Sequence, residues 1–296
     1  MAIKYGGLRR CLSVSGFLLL LVFLAPSPSL AAPGDGPLEH VRLQLKWRHQ
    51  FQFAGYYAAL EQGYYRKAGF DVSLLPARPG IDPVREVTSG RAEFGVASSE
   101  LVLRFAEGEP VSVLAVVFQH SPLVLFARRQ SGIRTLHDLI GKRVALADSE
   151  AEIFAYLKRE QIPLRQLVRE QHDFSPAGLL AGRLDALAGY DTDESWYFRD
   201  HLDDYIRFTP RASGIDFYGD TLFTSSARVA MSPERTRAFL EASLRGWEYA
   251  LEHPDELAEL IHTRYAPDLP LEKLRFEAEQ ILPLVRSDMV ALGYSH

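Results

Sequence analysis

The chain has 296 residues, of which 47% are hydrophobic and 24% charged, and its formal net charge is −5. This length allows two cores, and the composition is that of a folded globular protein, which excludes the collagen-like and disordered classes. The sequence has no run of five or more basic residues, so we expect no nucleic-acid partner.

The first thirty-one residues have the layout of a secretory signal. Basic residues near the start precede an interrupted apolar run over residues 12–23, and small residues stand at positions 29 and 31. The run is shorter than the roughly 20 residues that span a bilayer, so an uncleaved membrane anchor is the less favoured alternative. Removing residues 1–31, which carry three basic residues and no acidic ones, changes the formal charge from −5 to −8 and removes Cys11, the one cysteine. The sequence therefore predicts an exported, periplasmic protein without disulfides or cysteine ligands.

The first part of the exported chain alternates strand and helix signals. We expect strands at 41–47, 70–75, 94–97, 111–118 and 122–127, and helices at 53–63, 82–89 and 100–106. This β-α-β-α-β-α-β-β order predicts a mainly parallel sheet with helices on its faces.

A second unit repeats this logic. Strands are expected at 143–147, 167–172 and 184–190 with helices between them, and three amphipathic helices follow at 233–253, 254–265 and 271–284. We predict a two-lobed α/β fold, with lobe one over residues 38–130 plus 222–296 and lobe two over 131–221. The two crossovers, near 128–132 and 219–222, would lie side by side as a hinge, and the last helices would pack on lobe one.

Chemically capable side chains cluster where the predicted strands end. Ligands of open α/β sheets bind at the carboxyl ends of the strands, beside helix N-termini. Aromatic rings there can stack on a flat solute, amides and hydroxyls can hydrogen-bond to it, and carboxylates can pair with its amino groups. The candidate ligand-binding residues are Trp47, Gln52, Phe53, Tyr57, Ser98, Ser99, Glu100, Gln119, Tyr190, Glu194, Tyr218 and Asp220. Alternatively, Trp47 and Phe53 belong to a core, and Ser98 or Ser99 only caps the helix that follows.

Motifs of catalysis and metal binding are missing from the sequence. It has no H-E-x-x-H, G-x-S-x-G, P-loop or G-x-G-x-x-G pattern. The sequence does not exclude a pair of carboxylates that act as catalytic acid and base, although no spacing of Asp and Glu residues favours such a pair. We therefore expect a binding protein with no metal and no cofactor.

Several segments resemble one known family. Lys46-Trp47, residues 53–59, residues 90–97 and residues 216–220 resemble the family that contains periplasmic binding proteins for thiamine pyrimidine precursors and eukaryotic thiamine pyrimidine synthase. The resemblance extends over roughly residues 40–260. It implies the type II periplasmic binding protein fold, and a monomer that delivers a formylaminopyrimidine-like solute to an ABC permease in the inner membrane.

The resemblance also implies two alternatives. The synthase branch is an enzyme of thiamine biosynthesis that uses pyridoxal phosphate, iron and a sacrificial histidine. Its lysine and histidine correspond to Ala97 and Leu101 here, and its cysteine-rich stretch falls near residues 222–224, which contain no cysteine. These departures favour a protein that is not an enzyme. Other members are ligand-sensing domains of membrane signalling proteins.

Overall fold

The computed structural model describes residues 37–286 and 290–294 of the chain. The predicted signal segment, residues 1–31, lies outside the described residues. Within those two ranges, none of the helices combines the length and the apolar character needed to cross a lipid bilayer.

Ten strands in the described part of the chain form two five-stranded sheets. The strands are β1 (Glu39–Gln44), β2 (Phe70–Leu75), β3 (Phe94–Ala97), β4 (Val111–Val116), β5 (Leu123–Arg128), β6 (Arg143–Ala145), β7 (Val168–Glu170), β8 (Ala186–Tyr190), β9 (Tyr205–Phe208) and β10 (Thr221–Ser225). The order is β2-β1-β3-β10-β4 in the first sheet and β7-β6-β8-β5-β9 in the second.

Each sheet has four strands in one direction and one reversed strand. In the first sheet β1 is parallel to β2 and β3, whereas β10 is antiparallel to both of its neighbours. In the second sheet β6 is parallel to β7 and β8, and β5 is antiparallel to both of its neighbours. The predicted fold class, two α/β lobes with mainly parallel sheets, is confirmed. The carboxyl ends of the parallel strands supply the loops that bind ligands in such folds.

The helices connect the strands and form a C-terminal cluster. They are α1 (Ala54–Glu61), α2 (Tyr64–Lys67), α3 (Pro83–Thr88), α4 (Glu100–Ala106), α5 (Ala151–Arg159), α6 (Ala177–Leu180), α7 (Ser195–Phe198), α8 (Ser226–Met231), α9 (Pro233–Glu252), α10 (Pro254–Arg264) and α11 (Leu271–Val285). Buried residues of α9, α10 and α11 share one hydrophobic cluster with the first sheet and α1.

The position of β5 differs from the sequence prediction. That strand was assigned to lobe one, but it pairs with β8 and β9 of the second sheet. An apolar strand buried on both faces fits either sheet equally well, so its composition could not decide between them. The first crossover is therefore the 117–122 segment, and the rest of the predicted lobe boundaries stays a prediction.

Two segments connect the sheets, and they lie side by side. The backbone N–H of Ser121 donates to the carbonyl of Phe217, and that of Gly219 donates to the carbonyl of Phe118, each over 2.9 Å. These two hydrogen bonds fix the path of both connecting segments between the sheets. That these segments act as a hinge stays a prediction.

The main core contains an aromatic stack centred on α9. The Phe239 ring lies parallel to Phe94 with 3.7 Å between ring centroids, and Tyr65 stacks on it at 4.9 Å. This packing joins α9 and α2 to the first sheet. Because the stack is fully buried, it stabilises the sheet whose strand ends carry half of the site.

The contact between α1 and α9 depends on glycine. A Cβ atom at Gly246 would lie 2.1 Å from the carbonyl oxygen of Gly55 and 2.6 Å from the Cβ atom of Ala59. Backbone atoms cannot yield as a flexible side chain can, so the two helices would have to move apart.

We expect Gly246→Ala to destabilise the protein by about 1–3 kcal/mol through overpacking. Helix propensity alone predicts that Gly246→Ala stabilises the protein, since alanine is favoured over glycine in a helix by about 1 kcal/mol. Urea unfolding followed by circular dichroism measures the change, with Glu241→Ala on the exposed side of the same helix as the control. A Gly246→Ala protein more stable than the parent would contradict the close approach.

Candidate functional site

Loops at the strand ends of both sheets enclose a cavity of about 890 Å³. Lys46 and Trp47 follow β1, Ser98 follows β3, and Tyr190 ends β8. Each of these residues lines the cavity. The site is therefore built by two sheets, as expected for the carboxyl ends of parallel strands.

Lys46 joins the two sides of the cavity. Its ammonium donates to the Tyr190 hydroxyl over 2.7 Å and to the Ser98 hydroxyl, and its Nζ lies 3.5 Å from Oδ1 of Asp220. Burial alone would lower the pKa of Lys46, but Tyr190, Asp220 and Glu100 raise it above its ordinary value. The lysine is therefore a fixed positive charge at the base of the site.

Asp220 is almost completely buried behind this lysine. Its Oδ1 accepts from the Tyr190 hydroxyl over 3.0 Å, and its Oδ2 accepts from the Gln52 side chain over 2.8 Å. Gln52 in turn accepts from Gln50 over 2.8 Å. Both carboxylate oxygens of Asp220 thus have a donor, which makes this residue a structural anchor of the wall.

Four buried glutamates come from both sides of the cavity. Glu100 lies in the first turn of α4, Glu150 and Glu152 lie at the start of α5, and Glu194 precedes α7. The Glu100 carboxylate accepts from the backbone N–H of Ser98, and that of Glu150 accepts from Ala147 N–H over 3.0 Å. The cavity wall is therefore rich in carboxyl groups, and burial raises the pKa of all four.

Glu194 differs from the other glutamates. It is 2% exposed, and its Oε2 has no hydrogen-bond partner in the described part of the chain. The carboxylate folds back over Gly189, where an added Cβ would lie 2.6 Å from that oxygen. Burial and the neighbouring Asp193 raise the pKa of Glu194 well above its ordinary value, so the empty site favours the neutral carboxyl group. Its unpaired oxygen has unused hydrogen-bonding capacity, and an N–H donor from a bound solute would favour the ionised form.

The structure brings half of the predicted ligand-binding residues to the cavity wall. These are Trp47, Gln52, Ser98, Glu100, Tyr190 and Glu194. Asp220 lies directly behind them through its bonds to Gln52 and Tyr190. Neither Ser98 nor Ser99 caps α4 with its side chain, which excludes the simple capping interpretation.

Five predicted residues lie elsewhere. Phe53 and Tyr57 are fully buried in the main core, because the helical spacing that identified them also faces them toward α9–α11. The side chain of Gln119 donates to the carbonyls of Val116 and Tyr294. Ser99 and Tyr218 line a separate cavity of about 770 Å³.

Sequence reasoning missed several residues of the wall. Lys46, Glu150 and Glu152 lay in or beside candidate segments without being selected, and His172 and Phe174 follow β7. Their position after a strand was the signal that could have found them. Across the described ranges, no group of three or more histidine, cysteine or carboxylate side chains is arranged to hold a metal ion.

Comparison with curated proteins finds relatives of two kinds. The riboflavin-binding protein RibY of Chloroflexus aurantiacus is 24% identical, over 97% of this chain and 88% of its own length. The formylaminopyrimidine-binding protein of Halalkalibacterium halodurans is 28% identical, over 86% and 79%. A 4-amino-5-hydroxymethyl-2-methylpyrimidine phosphate synthase of Legionella pneumophila is 26% identical, over 75% and 72%.

Solved structures share the fold. The alkanesulfonate-binding protein SsuA of Xanthomonas axonopodis superposes with a TM-score of 0.61 at 16% identity, covering 85% of this chain and 86% of that one. The chain also matches the family described as NMT1/THI5 like over residues 50–257, which is more than half of its length. The protein belongs to the NMT1/THI5-like family.

Proposed function

We propose that this protein is an extracytoplasmic solute-binding protein that captures a small, flat, nitrogen-containing solute and delivers it to an ABC permease. After removal of residues 1–31 it would act as a monomer in the periplasm. The two sheets would close around the solute, and residues 117–122 and 209–220, which connect the sheets, would act as the hinge.

The observation that carries this proposal is the unpaired Glu194 carboxylate at the cavity wall. Its free oxygen accepts an N–H of the solute, while Gly189 leaves the space in which that carboxylate lies. Trp47 offers an aromatic face at the same wall. A ring with an exocyclic amino group supplies both the flat surface and the donor.

The finer proposal is that the solute is a thiamine pyrimidine precursor. The relative from Halalkalibacterium halodurans is named for binding formylaminopyrimidine, and the relative from Chloroflexus aurantiacus for binding riboflavin. Both solutes are flat and rich in nitrogen. The carboxyl-rich wall favours the one that carries an amino group on its ring, because that group can donate to a carboxyl oxygen.

Synthase activity is the alternative that the Legionella pneumophila relative supports. A lysine that forms a Schiff base needs an unprotonated amine. Lys46 is the lysine at the cavity wall, and its ammonium is held by Tyr190, Ser98 and Asp220 with a raised pKa. This arrangement favours binding over catalysis.

We expect formylaminopyrimidine to bind with a dissociation constant below about 100 μM, which corresponds to about 5.5 kcal/mol. Glu194→Gln should weaken binding by about tenfold or more, because the amide cannot ionise and pair as an anion with an N–H donor of the solute. Gly189→Ala should do the same by displacing the Glu194 carboxylate. Isothermal titration calorimetry measures all three.

Glu252→Gln, an exposed change at the end of α9, is the matched control for these measurements. If the parent protein does not bind formylaminopyrimidine, the ligand assignment is wrong. If it binds equally well with Glu194→Gln, a different side chain of the wall recognises the solute.

The same carboxyl groups make the stability of the empty protein depend on pH. Burial raises the pKa of Glu150 to about 8, against an ordinary value of 4.5. The folded protein therefore binds more protons than the unfolded chain between these values. The stabilising contribution is complete below the unfolded pKa and is lost as the pH rises through the folded one.

We expect the free energy of unfolding to fall between about pH 5 and about pH 8.5, and to fall less in Glu150→Gln, which carries no titrating group at that position. Urea unfolding at a series of pH values measures how the free energy of unfolding changes with pH in the parent and in Glu150→Gln. The control Glu252→Gln should follow the parent. Equal slopes for the parent and Glu150→Gln would show that Glu150 is not buried as a carboxyl group.

A further inference from the structure

Two aromatic rings meet across the cavity, one from each sheet's loops. Trp47 follows β1 of the first sheet, and Phe174 follows β7 of the second. Their ring centroids lie 4.1 Å apart with 49° between the planes, and the ring of His172 lies 5.3 Å from Trp47. All three side chains line the cavity.

The backbone of Phe174 is in an unusual conformation. Its φ is +60°, in the left-handed region, and Gln161 is the other non-glycine residue of the described chain with a positive φ. A bulky side chain in this region is energetically unfavourable and persists only where neighbouring contacts enforce it. The direction in which the Phe174 ring points is therefore imposed by its surroundings.

His172 supplies the enforcing contact. Its Nδ1 accepts the backbone N–H of Phe174 over 2.9 Å, and its Nε2 is 2.9 Å from the carbonyl oxygen of Ala188. These partners require a neutral imidazole with its proton on Nε2. Burial lowers the pKa of His172, which agrees with that state, although Asp173 and Asp193 act in the opposite direction.

The turn is held by further local bonds. Asp173 accepts the backbone N–H of Ser175 over 3.1 Å, and the Ser175 hydroxyl accepts that of Ala177 over 3.2 Å. Arg48, which follows Trp47, reaches the carbonyl oxygen of Asp173 at 3.4 Å. The turn that carries Phe174 is thus held by its own hydrogen bonds, and it contacts the loop that carries Trp47.

We propose that Trp47 and Phe174 form a clamp that holds the flat ring of the solute between them, with His172 as the positioning residue of Phe174. A ring between two others needs about 3.5 Å on each face, or roughly 7 Å in all. The two rings must therefore separate as the solute enters. This inference rests on the proposed function and adds the residues that select flat solutes.

Two substitutions of His172 separate its two hydrogen bonds. An asparagine side chain can place an acceptor where Nδ1 lies and so retain the bond from Phe174 N–H. A glutamine can place a donor where Nε2 lies and so retain only the bond to Ala188. The clamp predicts that His172→Asn keeps the Phe174 position and that His172→Gln loses it.

The first measurement uses the solute-free protein. Trp47 fluorescence, assigned by comparison with Trp47→Phe, should change in Phe174→Ala and in His172→Gln but stay near the parent in Phe174→Tyr and His172→Asn. Circular dichroism confirms that each variant is folded. Identical Trp47 emission in the parent, Phe174→Ala and His172→Gln would overturn the clamp.

The second measurement is calorimetry with formylaminopyrimidine and with riboflavin. For whichever solute the parent binds, Phe174→Ala and His172→Gln should weaken binding about fivefold or more, and Phe174→Tyr and His172→Asn by less than about threefold. Unchanged affinity in Phe174→Ala would overturn the clamp while leaving the proposed function intact. A parent that binds neither solute contradicts the proposed ligand class, and the fluorescence comparison then decides whether His172 positions Phe174 against Trp47.

Discussion

The arrangement of the site depends on one partly buried cation. The Lys46 ammonium contacts the Ser98 hydroxyl and the Asp220 carboxylate on the side of the first sheet, and the Tyr190 hydroxyl at the end of β8 in the second. Burying Asp220 and Glu100 close together without a counter-charge would be strongly unfavourable, since an unpaired buried charge costs several kcal/mol. Lys46 therefore both neutralises the base of the cavity and joins its two walls.

The topology places the partners of this cation. β5 and β10 are the strands by which the chain enters the second sheet and returns to the first, and each is reversed relative to its neighbours. Asp220 immediately precedes β10, so it lies where the returning chain passes the ends of β1 and β3. Backbone bonds between the crossovers hold it there, because Val117 N–H donates to the Asp220 carbonyl over 2.8 Å. A connection between sheets thus supplies the anion that binds Lys46.

Much of this could be predicted from the sequence, and the failures have identifiable causes. The strand-end rule selected Trp47, Ser98, Tyr190 and Glu194, which the structure places in one cavity wall, and their part in ligand binding stays a prediction. It failed for Phe53 and Tyr57 because an aromatic ring at helical spacing fits a core as well as a cleft, and the packing of α9–α11 decides between them. It could not place β5, whose apolar composition suits either sheet, and nothing in the segment around Phe174 signals its left-handed backbone. Pairing partners and backbone strain are set by tertiary contacts, which local patterns do not encode.

The claim that Lys46 holds the two walls together can be tested by measuring a distance across the cavity. Cysteines introduced at Glu107 and Glu170, which are exposed positions on opposite walls, would carry the spin labels. The exported chain would contain no other cysteine, so pulsed electron–electron double resonance would measure this one distance. We expect one narrow distance distribution in the labelled, solute-free parent and a longer, broader one when Lys46→Met is added. The same narrow distribution in both proteins would show that Lys46 does not hold the two walls together.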